Sequence, residues 1–135
     1  QLAKLDNFIE SRRLIADKYN SKLGHISFLK TPEVKSTVHH SYHIYPLQIN
    51  FNKLKITKKQ FFYDSLDKGV SFQVHYIPIH IQPFYSRIFN FQKNDFPNSI
   101  DFYKNEVSIP IFPSLKSEQI NDVVQILLSL NEKLQ

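Results

Sequence analysis

Apolar residues recur at helical spacing at both ends of this chain of 135 residues, and that periodicity limits the folds open to it. At the N-terminal end the pattern predicts a helix over residues 2–23, which Gly24 ends. At the C-terminal end Ser117 is predicted to cap a last helix, with Glu118 in its positive first turn. The apolar stripe of this last helix consists of Ile120, Val123, Val124, Leu127, Leu130 and Leu134.

The middle of the chain changes to a period of two, which is typical of strands. Residues 41–51 alternate between two faces, residues 70–76 do the same, and residues 107–112 form a third short run. Pro46 cannot donate a backbone hydrogen bond, so we expect it at a sheet edge or a bulge. Residues 25–37 show no regular pattern and are expected to form an irregular connection.

Short helices are expected between the strands. Thr57 and Gln60 have the spacing of a capping box and open a helix that Gly69 closes. Pro83 begins a second short helix, and a third lies near Ile100. The order α-β-α-β-α-α-β-α, with its short connections, predicts an α+β domain in which helices pack on a small antiparallel sheet.

The composition removes several classes of function from a single domain of this length. Only two glycines are present, so neither a P-loop nor a GxGxxG turn can form. The chain has no cysteine, which excludes disulfides, thiol nucleophiles and cysteine-based zinc sites. No run of about 18 apolar residues exists, so no transmembrane helix is expected.

The net charge is +5, and the basic residues are scattered except for Lys53, Lys55, Lys58 and Lys59. This cluster is more typical of a solvated loop and helix start than of a nucleic-acid patch. The positive surplus is also compatible with an anionic small molecule. A stand-alone basic module that binds an anionic ligand or nucleic acid therefore stays open as an alternative function.

Six histidines suggest a metal site, but their spacing does not support one. His75 and His80 do not share a strand face, and no HExxH motif or flanking carboxylate accompanies them. A Gly-x-Ser-x-Gly elbow for a hydrolase is also missing. The acidic residues, Glu106 among them, fall mainly on polar helix faces or in turns, where we expect solvated side chains. We therefore expect no metal and no catalytic triad.

The segment VHYIPIHIQPFY, residues 74–85, concentrates histidine, tyrosine and proline at the end of a predicted strand. Such strand ends are frequent places for binding residues. Histidine can donate to phosphate or hydroxyl oxygens, and tyrosine offers a ring face and a hydroxyl. The same residues can equally serve as packing with satisfied hydroxyls. From the residues alone, a binding wall and a packed strand end are equally supported.

Five motifs in series resemble one known family. In chain order they are QLAKLDNFIESRRLIADKYNSKL, HHSYHIYPLQI, VHYIPIHIQPFY, FPNSIDFYKNEVSIPIFPSL and SEQINDVVQIL. Together they resemble the C-terminal small domain of the DegT/DnrJ/EryC1/StrS family of nucleotide-sugar aminotransferases, which depend on pyridoxal phosphate. Within that family the sequence is similar to the branch that makes UDP-4-amino-4,6-dideoxy-altrosamine for pseudaminic acid.

The resemblance implies the fold of the small domain of fold-type I aminotransferases. It makes residues 1–135 the C-terminal small domain of a longer enzyme, with residues 1–24 as the leading helix. The large domain would lie upstream and would hold the pyridoxal phosphate and the Schiff-base lysine. No lysine here has the sequence context of that lysine, so we expect no catalytic residue and no bound cofactor in this chain alone.

For the full-length protein, the resemblance implies transfer of an amino group from glutamate to a 4-keto-6-deoxy nucleotide sugar in surface polysaccharide or glycan biosynthesis. The enzyme is expected to be a cytoplasmic homodimer without a membrane or nucleic-acid partner. The resemblance assigns two sets of residues to the site, namely His75, Tyr76, His80 and Tyr85 to substrate binding, and His43 and Tyr45 to support of that wall.

Overall fold

The computed structural model describes residues 2–135, in which five α-helices and three β-strands follow one another. The first turn, Leu2–Lys4, is a 3₁₀ helix that leads directly into the long N-terminal helix. Within residues 2–135, no helix combines the length and the apolar character needed to cross a membrane. The elements are α1 Leu5–Leu23, β1 Leu29–Lys30, β2 Tyr45–Ile49, α2 Lys58–Asp67, α3 Pro83–Phe89, α4 Pro97–Asn105, β3 Glu106–Ile109 and α5 Ser117–Leu128.

The three strands form one antiparallel sheet in the order β1-β2-β3, and β2 pairs with β3 over four residue pairs. β1 lies within residues 25–37, where the sequence predicts no regular structure, and it adds only two pairs, opposite Gln48 and Ile49. Pro46 lies beyond these two pairs, so the side of β2 that faces β1 is open there, as the missing N–H requires. The sheet and its helices confirm the predicted α+β class.

The core lies between the sheet and the two long helices, α1 and α5, which contact each other. The predicted stripe of the last helix is buried at Val123, Val124 and Leu127. Leu134, at the end of that stripe, is 39% exposed, because α5 ends at Leu128 and a 3₁₀ helix follows it. Each large apolar side chain that is fully buried here contributes roughly 1.5–3 kcal/mol relative to an exposed position.

The two ends of α2 follow local capping rules. The Thr57 hydroxyl accepts a hydrogen bond from the Gln60 N–H at 3.2 Å at the start of α2. Just after that helix, Gly69 adopts a φ of +80°, a conformation that residues with a Cβ disfavour. The predicted cap at Ser117 is wrong, because Ser117 is already the first residue of α5. The Gln119 side-chain oxygen accepts from the Lys116 N–H at 3.0 Å instead.

The predicted strand over residues 70–76 is also wrong. This extended segment joins the sheet through a single bridge, in which Gln73 and Ser108 exchange two backbone hydrogen bonds of 3.1 and 2.8 Å. The ladder does not continue, because the N–H of Glu106, the next candidate on β3, is bonded to the Phe102 carbonyl of α4. The alternation of residues 70–76 therefore reflects a half-buried extended segment and not a strand.

Two buried tyrosines connect α1 to the sheet and to the residue that follows it. The Tyr45 hydroxyl donates to the Asn20 side-chain oxygen, and the Tyr19 hydroxyl donates to the Pro110 carbonyl at 2.9 Å. The two rings pack with their centroids 5.3 Å apart. Burial raises the pKa of both hydroxyls well above the ordinary value of tyrosine.

Replacement of Tyr45 by phenylalanine is expected to lower the free energy of unfolding by about 1 kcal/mol, because the core loses a hydroxyl and its bond to Asn20. Tyr63 provides the matched control, since its side chain is exposed on α2. The Tyr63→Phe variant is expected to unfold at the same denaturant concentration as the wild type. Urea denaturation measures both, and equal stability of the two variants would contradict the structural role of Tyr45.

The same tyrosines predict a loss of stability in alkali. Because the pKa of Tyr19 and of Tyr45 is raised in the folded state, the unfolded chain releases these protons first, near pH 10. Their contribution to stability is therefore complete below about pH 10 and is lost as the pH rises above it. We expect urea midpoints to fall above about pH 10, and to fall less steeply in a Tyr19→Phe variant.

Candidate binding site

Two open cavities flank residues 74–85, the segment rich in histidine and tyrosine. The first has a volume of about 450 Å³, and we call it the His75 cavity. Its polar lining includes His43, Gln73 and His75, and its apolar lining is formed mainly by residues 109–112. This mixture of hydrogen-bonding groups with an apolar surface is typical of sites for small polar ligands.

The start of β3 positions the backbone of His75. Gln73 is bridged to Ser108, and two residues further on the His75 N–H donates to the Glu106 carboxylate at 3.1 Å. The His75 ring is half-buried, and its Nδ1 atom is shielded without a hydrogen-bond partner among residues 2–135. Because the His75 side chain lines the cavity, the accessible part of its ring is a candidate contact for a group that enters there.

The second cavity has a volume of about 480 Å³ and is lined by Tyr76 and His80 together with apolar residues, and we call it the His80 cavity. Tyr76 is 71% exposed, whereas His80 is only 6% exposed. The His80 Nε2–H donates to the Lys93 carbonyl at 3.2 Å, and the ring packs against Phe96. The structure therefore places Tyr76 and His80 in one cavity and His75 in the other.

The remaining predicted site residues occupy different environments. His43 is exposed and lines the His75 cavity. Tyr85 lies on α3, lines neither cavity, and packs parallel to the Phe89 ring with centroids 6.5 Å apart. Tyr45 is fully buried in the core. The structure thus brings His43 and His75 together, and leaves Tyr45 and Tyr85 outside both cavities.

Glu106, predicted to be solvated, is fully buried. Its Oε2 atom accepts from the His75 N–H, and its Oε1 atom accepts from the Ser108 hydroxyl. Alternate polar residues in a strand normally indicate a solvent-exposed face, but here residues 70–76 cover that face. The local pattern is the same in both cases, so it contains no signal that identifies Glu106.

The cluster of lysines between residues 53 and 59 does not form one surface. Lys58 is half-buried, and its amine donates to the Tyr103 carbonyl at 2.7 Å and lies 5.2 Å from the centre of the Tyr103 ring. Burial lowers the pKa of Lys58, and the charge of the nearby Glu106 opposes that shift. Lys59 points elsewhere and lies over the exposed Tyr63 ring. Because these charges diverge, the structure does not favour a basic binding module.

Neither cavity fits pyridoxal phosphate by itself. That cofactor needs a lysine for its covalent link, and no lysine or arginine lines either cavity. Among residues 2–135, no three histidine, aspartate or glutamate side chains converge as metal ligands. The lining residues are instead suited to hold a polar ligand through hydrogen bonds and ring faces.

Fold and cavities together define an α+β domain with two open cavities on its surface, each lined by at least one histidine. The chain belongs to the DegT/DnrJ/EryC1/StrS aminotransferase family, whose family model matches residues 1–128. This membership confirms the family predicted from the five sequence motifs.

Two curated relatives are similar over nearly the whole chain. The spore coat polysaccharide biosynthesis protein SpsC of Bacillus subtilis is 33% identical over 126 residues, which cover 93% of this chain and 32% of that protein. The UDP-4-amino-4,6-dideoxy-N-acetyl-beta-L-altrosamine transaminase of Campylobacter jejuni is 31% identical over 134 residues, which cover 99% of this chain and 35% of that protein. The chain therefore spans about a third of the length of these relatives.

A solved structure shows the same fold. Helicobacter pylori PseC, an aminotransferase involved in the biosynthesis of pseudoaminic acid, superimposes with a TM-score of 0.87 at 24% sequence identity. The superposition covers 98% of this chain and 35% of PseC. The predicted likeness to the small domain of an aminotransferase is thereby confirmed at the level of the fold.

The different exposure of His80 and Tyr76 predicts different effects on stability. The His80→Ala variant is expected to lower the free energy of unfolding by about 2 kcal/mol, because it removes a buried hydrogen bond and leaves a cavity. His25→Ala, a change at an exposed histidine, is the matched control and is expected to change it by less than about 0.5 kcal/mol. Tyr76→Phe is expected to behave like the control in urea denaturation. A large loss for Tyr76→Phe would show that Tyr76 is a packing residue.

Proposed function

We propose that this chain is the C-terminal small domain of an aminotransferase that depends on pyridoxal phosphate and transfers an amino group to a keto sugar linked to a nucleotide. The observation that carries the proposal is the family match over residues 1–128. The open cleft with hydrogen-bonding side chains supports it, because a nucleotide sugar offers many hydroxyl and phosphate oxygens. In this proposal a large domain supplies the cofactor and the lysine that this chain lacks.

The proposed work of this chain is to bind and orient the sugar nucleotide. The His75 and His43 rings can donate hydrogen bonds to hydroxyl or phosphate oxygens. Tyr76 presents an exposed ring face and a hydroxyl on the same segment. Residues 109–112 offer an apolar surface to the methyl carbon of a deoxy sugar. His80 contributes through its hydrogen bond to the Lys93 carbonyl, which holds the segment where it lines the His80 cavity.

Finer features of the substrate rest on the named relative and on the family. The transaminase of Campylobacter jejuni is named for a 4-amino-4,6-dideoxy sugar linked to UDP, which supports a 4-keto-6-deoxy sugar as the amino acceptor. We extend the proposal to glutamate as the amino donor and to a homodimer as the working unit, because both are features that the family resemblance implies. Tyr85 packs on Phe89 and lines neither cavity, so it stays in the proposal as the substrate-binding residue with the least support from the structure.

The His75→Ala variant of the complete enzyme tests this assignment. It is expected to raise KM for the nucleotide sugar, or to lower kcat, by about tenfold, because one hydrogen bond to a bound polar group contributes about 1.4 kcal/mol. The KM for glutamate is expected to stay unchanged. Steady-state kinetics with each substrate varied in turn provides the measurement.

His25→Ala is the control for these kinetics, because His25 is exposed and lines neither cavity. It is expected to match the wild type in every kinetic constant. Unchanged kinetics in the His75→Ala variant, with a folded protein, would remove His75 from the proposed wall. An enzyme that transfers no amino group to any nucleotide-linked keto sugar would overturn the proposed function itself.

A further inference from the structure

We propose that Glu106 is a positioning residue for the nucleotide-sugar site: its buried carboxylate fixes the backbone of His75 and so sets how His75 enters the His75 cavity and how Tyr76 enters the His80 cavity. This inference rests on the proposed function. It concerns a residue that lines neither cavity and touches no bound ligand, and that acts through the main chain of its neighbour.

The geometry follows from the register of one bridge. Hydrogen-bonded pairs recur at every second residue of an antiparallel ladder, so the pair after Gln73 and Ser108 would place His75 opposite Glu106. The Glu106 N–H is already bonded to Phe102 and cannot take part in that pair. The carboxylate of Glu106 accepts the His75 N–H in place of the main chain. The Glu106 side chain thereby holds residues 70–76 to β3 at His75. Because no backbone pair forms there, the main chain after His75 can leave the plane of the sheet.

The Glu106 carboxylate is also held through its second oxygen. The Ser108 hydroxyl donates to the second carboxylate oxygen, so both oxygens have a defined donor. Hydrogen bonds to a charged acceptor are stronger than those between neutral groups, which gives this anchor more rigidity than an ordinary turn has. The positive charge of Lys58 lies close enough to attract the carboxylate, although Lys58 bonds directly to the Tyr103 carbonyl.

A carboxylate is an unusual choice at a fully buried position. Its transfer out of water costs free energy that an apolar residue of similar size would not incur, and replacement of buried charges by apolar residues often leaves stability unchanged or higher. Val107 and Ile109 of β3 pack in the apolar core, whereas Glu106 alternates with them and is directed to the other face of the sheet. A need for exact placement of the next residues accounts for the carboxylate better than a need for stability does.

The test uses three variants of the complete enzyme. Glu106→Gln keeps the shape of the side chain but removes its charge and replaces one acceptor oxygen by an NH₂ group, which only donates. Ser108→Ala removes the hydroxyl that steadies the carboxylate, and it provides a second route to the answer if Glu106→Gln does not fold. Glu132→Gln, a change at an exposed glutamate, is the control.

Two readouts are measured on each variant. Hydrogen exchange of a peptide that spans residues 73–77 reports the His75 amide, and we expect its exchange in Glu106→Gln to be about tenfold faster, because the neutral amide oxygen is a weaker acceptor than the carboxylate. Steady-state kinetics is expected to show about a tenfold higher KM for the nucleotide sugar, with the KM for the amino donor unchanged. Ser108→Ala is expected to change both in the same direction by a smaller factor, and Glu132→Gln to change neither.

Two results would overturn the inference. Unchanged exchange at residues 73–77 in both Glu106→Gln and Ser108→Ala would show that neither the charge nor the placement of the carboxylate holds His75. Faster exchange with equal changes in the KM of both substrates would show a general structural role and no positioning of the sugar site. A wild-type enzyme without activity on nucleotide-linked keto sugars is a separate outcome that sinks the proposed function, whereas the exchange result still decides whether Glu106 anchors His75.

Discussion

The antiparallel pairing of β2 with β3 is the interaction on which the rest of the structure depends. It places Val107 and Ile109 in the core with α1 and α5, and it directs Glu106 and Ser108 to the opposite face. A strand with one apolar face normally exposes the other to water, but here both faces are buried. The second face therefore has polar groups available to hold a segment that is not itself a strand.

That second face connects the fold to the proposed function. The extended residues 70–76 are held by one backbone bridge and one carboxylate. At the end of this segment, His75 lines the His75 cavity and Tyr76 lines the His80 cavity. His75 is thus the last residue of the segment that is hydrogen-bonded to β3, and it directly precedes Tyr76, the most exposed aromatic residue of the segment. Binding residues carried on a loop and positioned by a rigid scaffold are a frequent arrangement in proteins. Family membership gives this arrangement a substrate class, and the cavity lining is consistent with it.

The sequence predicts those parts of the structure that depend on local patterns. The helices α1 and α5, the Thr57 cap and the helix after Pro83 all follow from spacing and from single residues, and the structure confirms them, although Leu134 at the end of the predicted α5 stripe is exposed. The alternation of residues fails to predict a strand where another element of the fold takes the hydrogen-bonding group that the strand would need. Residues 70–76 alternate like a strand, but pairing stops where α4 ends on Glu106, and no local signal shows that. In the same way, His75 and His80 are only five residues apart in sequence, yet His80 lies on a short 3₁₀ helix, Ile79–Ile81, and lines a different cavity from His75.

A structure of the complete enzyme with a nucleotide-linked amino sugar bound would show directly whether residues 74–85 form the sugar-nucleotide site. We expect the sugar nucleotide within hydrogen-bond distance of the His75 ring and against the Tyr76 ring, with the His75 N–H still bonded to the Glu106 carboxylate. A ligand bound with every atom more than about 4.5 Å from residues 74–85 would contradict it, because those residues would then form no part of the site.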